Sequence, residues 1–392
     1  MSEQPFFKFS PSVRSKEEVI EFFYFAYEAN ASDIRISTLD YPWGLVRRKW
    51  VKLGSRPLNS GEVSFILRTL HSESVEAQLN NRTPISWRPS VSRSRDDVIY
   101  FRGEAGLSLV AGETGCSAVF RRIPGLPPSL EDIKIFPVGA TRRLYEGLFP
   151  DNGLVIVTGV TGSGKSTTLA AMVRERLMVF KSGAIGTFED PIEYVYGHEL
   201  SNGLVPAVTQ MGIDVHVSNW GQANKTAMRR KFDVMILGEV RDSASGEATL
   251  EAAMTGHAVY ATMHVETPDL VIPRLVDLFP HNARQTVASN LIDVSKLFVS
   301  QKIVVRADGL PAAYRSWCLI TQKLRRQLRR ADQRDLGEII RAEMLREGTD
   351  FLAQSLPDYQ SGVISKEVFS SVVGVDVDEV DDLVAERLDF LK

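Results

Sequence analysis

An α/β fold built on a central parallel sheet is predicted by three features of this sequence. Four short apolar runs rich in β-branched residues, 154–158, 184–188, 233–237 and 258–263, read as strands covered on both faces. Segments with helical spacing alternate with them, near 165–180, 221–231 and 243–255. The first run also passes through a glycine-rich loop straight into such a segment, forming a strand–loop–helix unit. At ~150 residues per domain, a chain of 392 residues has room for two or three domains. The expected organisation is an α+β N-terminal domain over 1–122, a linker over 123–138, the α/β core over 139–280, and a helical C-terminal region over 281–392.

The elements follow in order. Residues 1–12, with Pro5, Pro11 and scattered serines, read as disordered or loosely docked. Ser15 is a candidate N-cap with Glu18 three residues on, a capping box, and Val19, Phe22, Phe23 and Ala26 then recur at helical spacing through residue 30. Strands are expected at 33–37, 44–46, 98–102, 106–110 and 117–122, with a helix over 60–70 between them. Prolines keep most of 123–137 out of helix. After Pro280 the chain reads as mostly helical. Val287, Leu291, Val294 and Phe298 form one stripe across a helix over 283–300. The basic run 323–334 carries Leu324 and Leu328 on one face, an amphipathic helix or a surface for acidic lipid, a membrane subunit or DNA. The last segment begins with Asp376, Asp378, Glu379, Asp381 and Asp382, which suits a helix N-terminus.

Composition narrows the function. Lys and Arg number 46 against 49 Asp and Glu, a net charge of −3, which argues against a protein that coats DNA by neutralising phosphates. Cys116 and Cys318 are too few for a disulfide framework or a Cys-rich zinc module. No secretory signal pattern is visible at the N-terminus, and no apolar run reaches the ~20 residues that span a bilayer. The expectation is a cytoplasmic protein, with any membrane association peripheral.

The run from Gly159 to Ser166 fits G-x-x-x-x-G-K-[ST] and follows a strand. Glycines let the loop curl so that several N–H groups face phosphate oxygens, and the helix N-terminus adds its dipole. In that pattern Lys165 places a charge between the β- and γ-phosphates and Ser166 ligates Mg²⁺. Phosphoryl transfer also needs a carboxylate on the metal side and one that orients water. Two acidic clusters stand at strand ends, Glu189–Glu193 and Gly238–Asp242. Ligands of open α/β sheets bind outside the carboxyl ends of strands, so both clusters should face the loop. His257 and His264 flank the strand 258–263 at a spacing unlike a helical metal pair. His264 could bond the γ-phosphate; His257 could join it or serve as a structural donor.

These residues resemble the secretion-ATPase superfamily, and within it the PilT/DotB-like group. The matching segments are 31–37 (ASDIRIS), 154–168 (LVIVTGVTGSGKSTT), 188–195 (FEDPIEYV), 236–242 (ILGEVRD), 255–264 (TGHAVYATMH) and 274–280 (RLVDLFP). The resemblance implies a PAS-like N-terminal domain and a RecA-like ATPase domain assembled as a homo-hexamer. By position, Gly159, Thr161, Gly162, Ser163, Gly164, Lys165, Ser166 and Thr167 look like the Walker A loop. Glu193 looks like the catalytic carboxylate, Glu239 like the Walker B acid, Glu189 like a further acid on the metal side, and His257 and His264 like the His-box pair. The sequence departs from the family pattern at Arg230–Asp233, at Ala244 and at Arg35.

The absence of a four-Cys motif disfavours the type II secretion and pilus-extension branch. Length and tail look closer to DotB-like and plasmid conjugal-transfer ATPases of type IVB systems. The resemblance thus implies ATP and Mg²⁺ as ligands, inner-membrane and coupling components of a channel as partners, and no sequence-specific nucleic acid binding. A pilus-retraction motor, or an assembly subunit with slow hydrolysis, is the alternative. No cis arginine stands beside the loop motifs, so Arg102, and Arg121 or Arg122, on late N-terminal strands, are candidates to supply charge from an adjacent domain or subunit.

Overall fold

The computed structural model describes residues 6–46, 49–82, 84–94, 97–110, 112–123, 127–134, 142–180, 183–196, 208–213 and 215–390. The chain divides into two compact units, Met1–Gly125 and Leu126–Lys392.

In the first unit, α1 (Lys16–Glu28) begins where the Ser15 side chain accepts the Glu18 N–H at 3.2 Å. The expected capping box does not close. The Glu18 carboxylate instead accepts the N–H of Ser10 at 2.6 Å and its hydroxyl at 2.8 Å. It is free to do so because the segment before α1 folds back over it: Phe7 and Phe9 set their rings against Phe22 at 5.5 and 5.0 Å. Residues 6–12 are therefore docked rather than loose. Then follow β1 (Ala31–Ser37), β2 (Trp43–Val46), β3 (Lys49–Lys52), α2 (Ser60–Leu70), α3 (Val75–Asn80), β4 (Ile85–Trp87), β5 (Ser90–Ser92), β6 (Val98–Val110) and β7 (Glu113–Ile123). The reciprocal box occurs at α2, between Asn59 and Glu62. Burial pushes the Glu62 carboxyl up, but hydrogen bonds from Arg56, Asn59 N–H and Val13 N–H outweigh it and hold the group at about 2.

The strands form an antiparallel sheet in the order β3-β2-β1-β7-β6-β4, with β5 on β6. Side chains alternate across it. Ile34, Ile36, Phe101 and Phe120 pack under the helices with Phe22 and Phe23. The opposite face carries Arg102 directly across from Arg121, which is in turn across from Asp33. The two strands expected at 98–102 and 106–110 are one, because pairing with β7 runs unbroken through Gly103.

The second unit contains α4 (Arg142–Leu148), β8 (Gly153–Thr158), α5 (Lys165–Glu175), a π turn over Arg176–Phe180, β9 (Ile185–Glu189), β10 (Thr209–Gly212), α6 (Trp220–Arg230), β11 (Val234–Glu239), α7 (Ser243–Met254), β12 (Ala258–Met263), α8 (Val271–Asp277), α9 (Arg284–Val294), β13 (Ser295–Val305) and β14 (Pro311–Leu319). Its sheet runs β10-β9-β11-β12-β8-β13-β14, parallel except for the β13–β14 pair. Every residue of β8 is buried. Leu154 and Ile156 join the core under α6 to α9, while Val155 and Val157 join the one beneath α4 and α5. That two-sided burial is what an uninterrupted apolar run predicts. Part of the expected linker, 124–126 and 135–138, lies outside the described residues. Of the rest, Ile123 ends β7 of the first unit and 127–134 belong to this one: Leu130 is buried, and Arg174 donates to Pro127 O at 2.7 Å.

Two expectations are corrected here. The helix expected over 283–300 ends at Val294. Ser295 turns extended, its hydroxyl donates to Leu291 O at 2.6 Å, and β13 begins, so Phe298 lies in the sheet core rather than on a helix stripe. The four residues counted as one stripe are explained by two elements in series. The region after 280 therefore contributes a hairpin to the central sheet between α9 and the helices that end the chain. Helices α10 (Gln322–Leu328), α11 (Leu336–Glu347), α12 (Phe351–Gln360), α13 (Lys366–Val373) and α14 (Val380–Phe390) follow. β10, too short and polar to be read from sequence, extends the sheet at its other edge.

In α10, Leu324 and Leu328 are buried, as the amphipathic reading requires. Arg325 is buried as well and donates to Ile292 O at 3.0 Å and Ser295 O at 2.6 Å, satisfying carbonyls at the end of α9. Part of the basic run is thus structural. Among the described residues no helix is long and apolar enough to cross a membrane.

Candidate nucleotide-binding site

The parallel strands end level with one another. Thr158 pairs with Met263 on one side and Ser300 on the other, Glu239 with Thr262, and Leu237 with Phe188. The loop after β8, the acids after β9 and β11, and His264 after β12 therefore share one sheet edge, the carboxyl edge where ligands of such sheets bind.

The loop after β8 is shaped by glycines. Gly159, Gly162 and Gly164 have φ of 142°, 81° and 84°. A Cβ on Gly159 would lie 2.5 Å from the Gln301 carbonyl oxygen. Gly164 is the N-cap of α5 and offers no side-chain cap, so the first-turn N–H groups face the loop unshared. Thr161 and Gly162 are exposed at the loop's crest. Lys165 is buried and donates to Gly159 O at 2.8 Å and Val160 O at 3.2 Å. Burial pushes its ammonium down, and Glu239 and Glu193 pull it back up. The Ser163 hydroxyl is buried with no hydrogen-bond partner among the described residues. A glycine-lined cradle, uncapped N–H groups, an orphaned hydroxyl and a lysine fit an anion of phosphate size. Ser166 is half-buried in the first turn, and Thr167 shares a 2.9 Å hydrogen bond with the Tyr194 hydroxyl.

The acids are placed unequally. Glu189 is buried; its carboxylate accepts the Thr187 hydroxyl at 2.6 Å and the Glu193 N–H at 3.3 Å. It thereby holds the turn from which the exposed Glu193 projects. The register shifts between Leu237 and Glu239, a bulge that re-aims the strand end. Gly238 belongs there because a Cβ would come 3.2 Å from Glu189 Cα. Glu239 pairs with His264 Nε2 at 3.1 Å. Asp190 pairs with Arg241, linking the two acidic turns.

His257 does not join this edge. It precedes β12, where its carbonyl accepts the Gly153 N–H at 2.8 Å and its Nδ1 lies 3.1 Å from Ala252 O. That is the opposite end of β8 from the loop, about 15–20 Å away along a six-residue strand. The expectation that it binds cofactor is corrected to the structural alternative. Arg121 donates to Asp33 at 2.9 Å, and Arg122 stacks on Tyr27 at 3.7 Å. Arg102 has no side-chain partner among the described residues. Sequence reading missed Gln301, whose carboxamide reaches both Ser163 and Thr168, and Tyr194 and Arg241. The visible signal for Gln301 was a Ser-Gln pair directly after the apolar run 297–299.

The profile of the family described as type II/IV secretion system protein matches residues 26–309, nearly three quarters of the chain. The chain belongs to this family. Within it, the secretion ATPase is 32% identical to protein YggR of Escherichia coli over 286 residues, 73% of this chain and 81% of that one. It is 30% identical to the type IV pilus retraction ATPase PilT of Pseudomonas aeruginosa over 315 residues, 80% of this chain and 85% of that protein. The X-ray structure of the ATPase DotB of Legionella pneumophila superposes with a TM-score of 0.78 at 28% identity, covering 93% of this chain and 98% of DotB. The secretion ATPase is thus of the PilT/DotB kind, a RecA-like ATPase domain behind an N-terminal domain, and an enzyme that hydrolyses ATP.

Proposed function

We propose that the chain works as a homo-hexamer whose ATP hydrolysis powers a type IVB or conjugative transfer apparatus, peripheral to the inner membrane, with channel coupling components as partners. The observation that carries this is the likeness to DotB over nearly all of both chains. Retraction of a pilus is the second reading, favoured by the 85% coverage of PilT.

In the proposed mechanism the loop 159–166 wraps the triphosphate, and Lys165 exchanges its two loop carbonyls for phosphate oxygens. Ser166 and Glu239 take the metal side. Glu189 holds the Glu193 turn by accepting the Glu193 N–H, and its remaining lone pairs leave it a further acid on the metal side. Mg²⁺, if bound, would be held from the side of Ser166 and Glu239 and would supply positive charge against the charge that develops on the phosphates. Glu193 orients the attacking water. His264, positioned by Glu239, donates to the γ-phosphate and registers its loss.

Of the candidate arginines, Arg102 is the one free to act on a neighbouring subunit's nucleotide. Arg102→Ala is expected to lower kcat about 10²–10³-fold, with ADP affinity within about 3-fold of the parent. Wild-type kcat in that variant would remove it from the mechanism. At the level of the system, a Lys165→Ala allele should fail to restore plasmid transfer in a deletion strain. Restored transfer would sink the proposed role; a transfer-proficient deletion strain that has lost pilus retraction would favour the second reading.

A further inference from the structure

We propose that Gln301 is a positioning residue for the phosphate-binding loop: its carboxamide sets the Ser163–Gly164 peptide so that the Gly164 N–H faces the nucleotide phosphates. This rests on the nucleotide-binding reading above and assigns part of that site to a strand no loop motif includes.

Gln301 lies on β13 and is 1% exposed. Its Nε2 donates to the Ser163 carbonyl, and its Oε1 accepts the Thr168 hydroxyl at 2.8 Å. The orientation of the amide is fixed by chemistry. A carbonyl oxygen can only accept, so the atom facing Ser163 O must be the nitrogen. The strand itself is pinned beside the loop, because Ser300 pairs with Thr158 and their hydroxyls share a hydrogen bond.

The consequence follows from peptide geometry. In a trans peptide the C=O and N–H point in opposite directions. Drawing Ser163 O toward β13 turns the N–H of the same unit, that of Gly164, toward the loop interior. Ser163 is flanked by Gly162 and Gly164, both at positive φ. A flip of the Ser163–Gly164 peptide turns ψ of Ser163 and φ of Gly164, and glycine at 164 gives the second rotation little steric resistance. A flip would aim a carbonyl dipole at the phosphates instead of a donor. Gly164 has a second reason to lack a side chain: a Cβ there would come 3.1 Å from Gln301 Nε2. Thr168, on the first turn of α5, closes the arrangement by fixing the other end of the carboxamide.

A donor held toward the bound phosphates acts equally on ADP, ATP and the transition state. Its loss is a loss of uniform binding, which raises Kd and KM and leaves kcat nearly unchanged. A general weakening of the fold would instead reduce the active fraction. Gln301→Met keeps the volume and removes both hydrogen bonds. Gln301→Glu keeps the acceptor for Thr168, but as a carboxylate it cannot donate to Ser163 O; once protonated it can.

The test is a calorimetric titration of the full-length wild-type, Gln301→Met, Gln301→Glu and Lys165→Ala proteins with Mg·ADP, together with steady-state kcat and KM. The expected result is a Kd for Gln301→Met at least about 10-fold above wild type, with kcat within about 3-fold. For Gln301→Glu the deficit relative to wild type should shrink as pH falls from 8 to 6. Wild-type ADP affinity in Gln301→Met, while Lys165→Ala has lost binding, overturns the proposal and leaves the site reading intact. A wild-type protein that binds no ADP overturns both. Should Gln301→Met fail to fold, the Gln301→Glu series decides: a deficit independent of pH overturns the proposal.

Discussion

Lys165→Ala should reduce ATP turnover by about 10³-fold or more and weaken nucleotide binding by at least about 10-fold. The lysine is the only cation among residues 159–168. Its ammonium is buried among loop carbonyls, so the charge acts at short range and in low dielectric. Truncation leaves the buried Gly159 O and the carbonyl of the exposed Val160 without the ammonium, so the melting temperature is measured alongside. Lys165→Arg is expected to fail as well, since a planar guanidinium does not fit where a compact ammonium sits. Phosphate release and ADP affinity, measured on protein with an unchanged melting temperature, check this. Undiminished turnover would remove the loop from the mechanism.

Glu193→Gln should lower kcat about 10²–10⁴-fold while ADP affinity stays within about 3-fold. The side chain is exposed at the sheet edge, on a turn whose N–H is held by Glu189. Glutamine preserves that turn and removes only the carboxylate that can orient and deprotonate water. ADP carries no γ-phosphate, so its binding does not draw on this group. Single-turnover hydrolysis separates chemistry from product release here. Wild-type rates in the variant would pass the role of base to another acid. Equal, very slow rates in both proteins would favour the assembly-subunit reading over a motor.

The sheet of the second unit was legible because its strands are buried on both faces and so read as unbroken apolar runs: β12 was expected at 258–263 and is found there. The phosphate loop was legible because glycine and lysine spacing states its chemistry directly. Other features depend on distance in sequence that no local pattern carries. β13 was taken for helix since Val294 and Phe298 keep a four-residue spacing across what is in fact a helix–strand junction. Gln301 acts on residues 138 and 133 positions away. Glu18 abandoned a local cap for Ser10 only because the preceding segment folds back. His257 shows the converse error: two histidines seven apart share a motif, but a strand between them carries them to opposite edges of the sheet.

In the proposed site, backbone amides around 159–166 wrap the phosphates at an edge shared with Glu239 and His264. Amide hydrogen exchange with and without Mg·ADP measures those amides themselves. Slowed exchange in peptides covering 159–167, with smaller protection over 238–242 and 262–266 and none in Lys165→Ala, is the predicted result. Saturating nucleotide that leaves 159–167 exchanging at its free rate would contradict it.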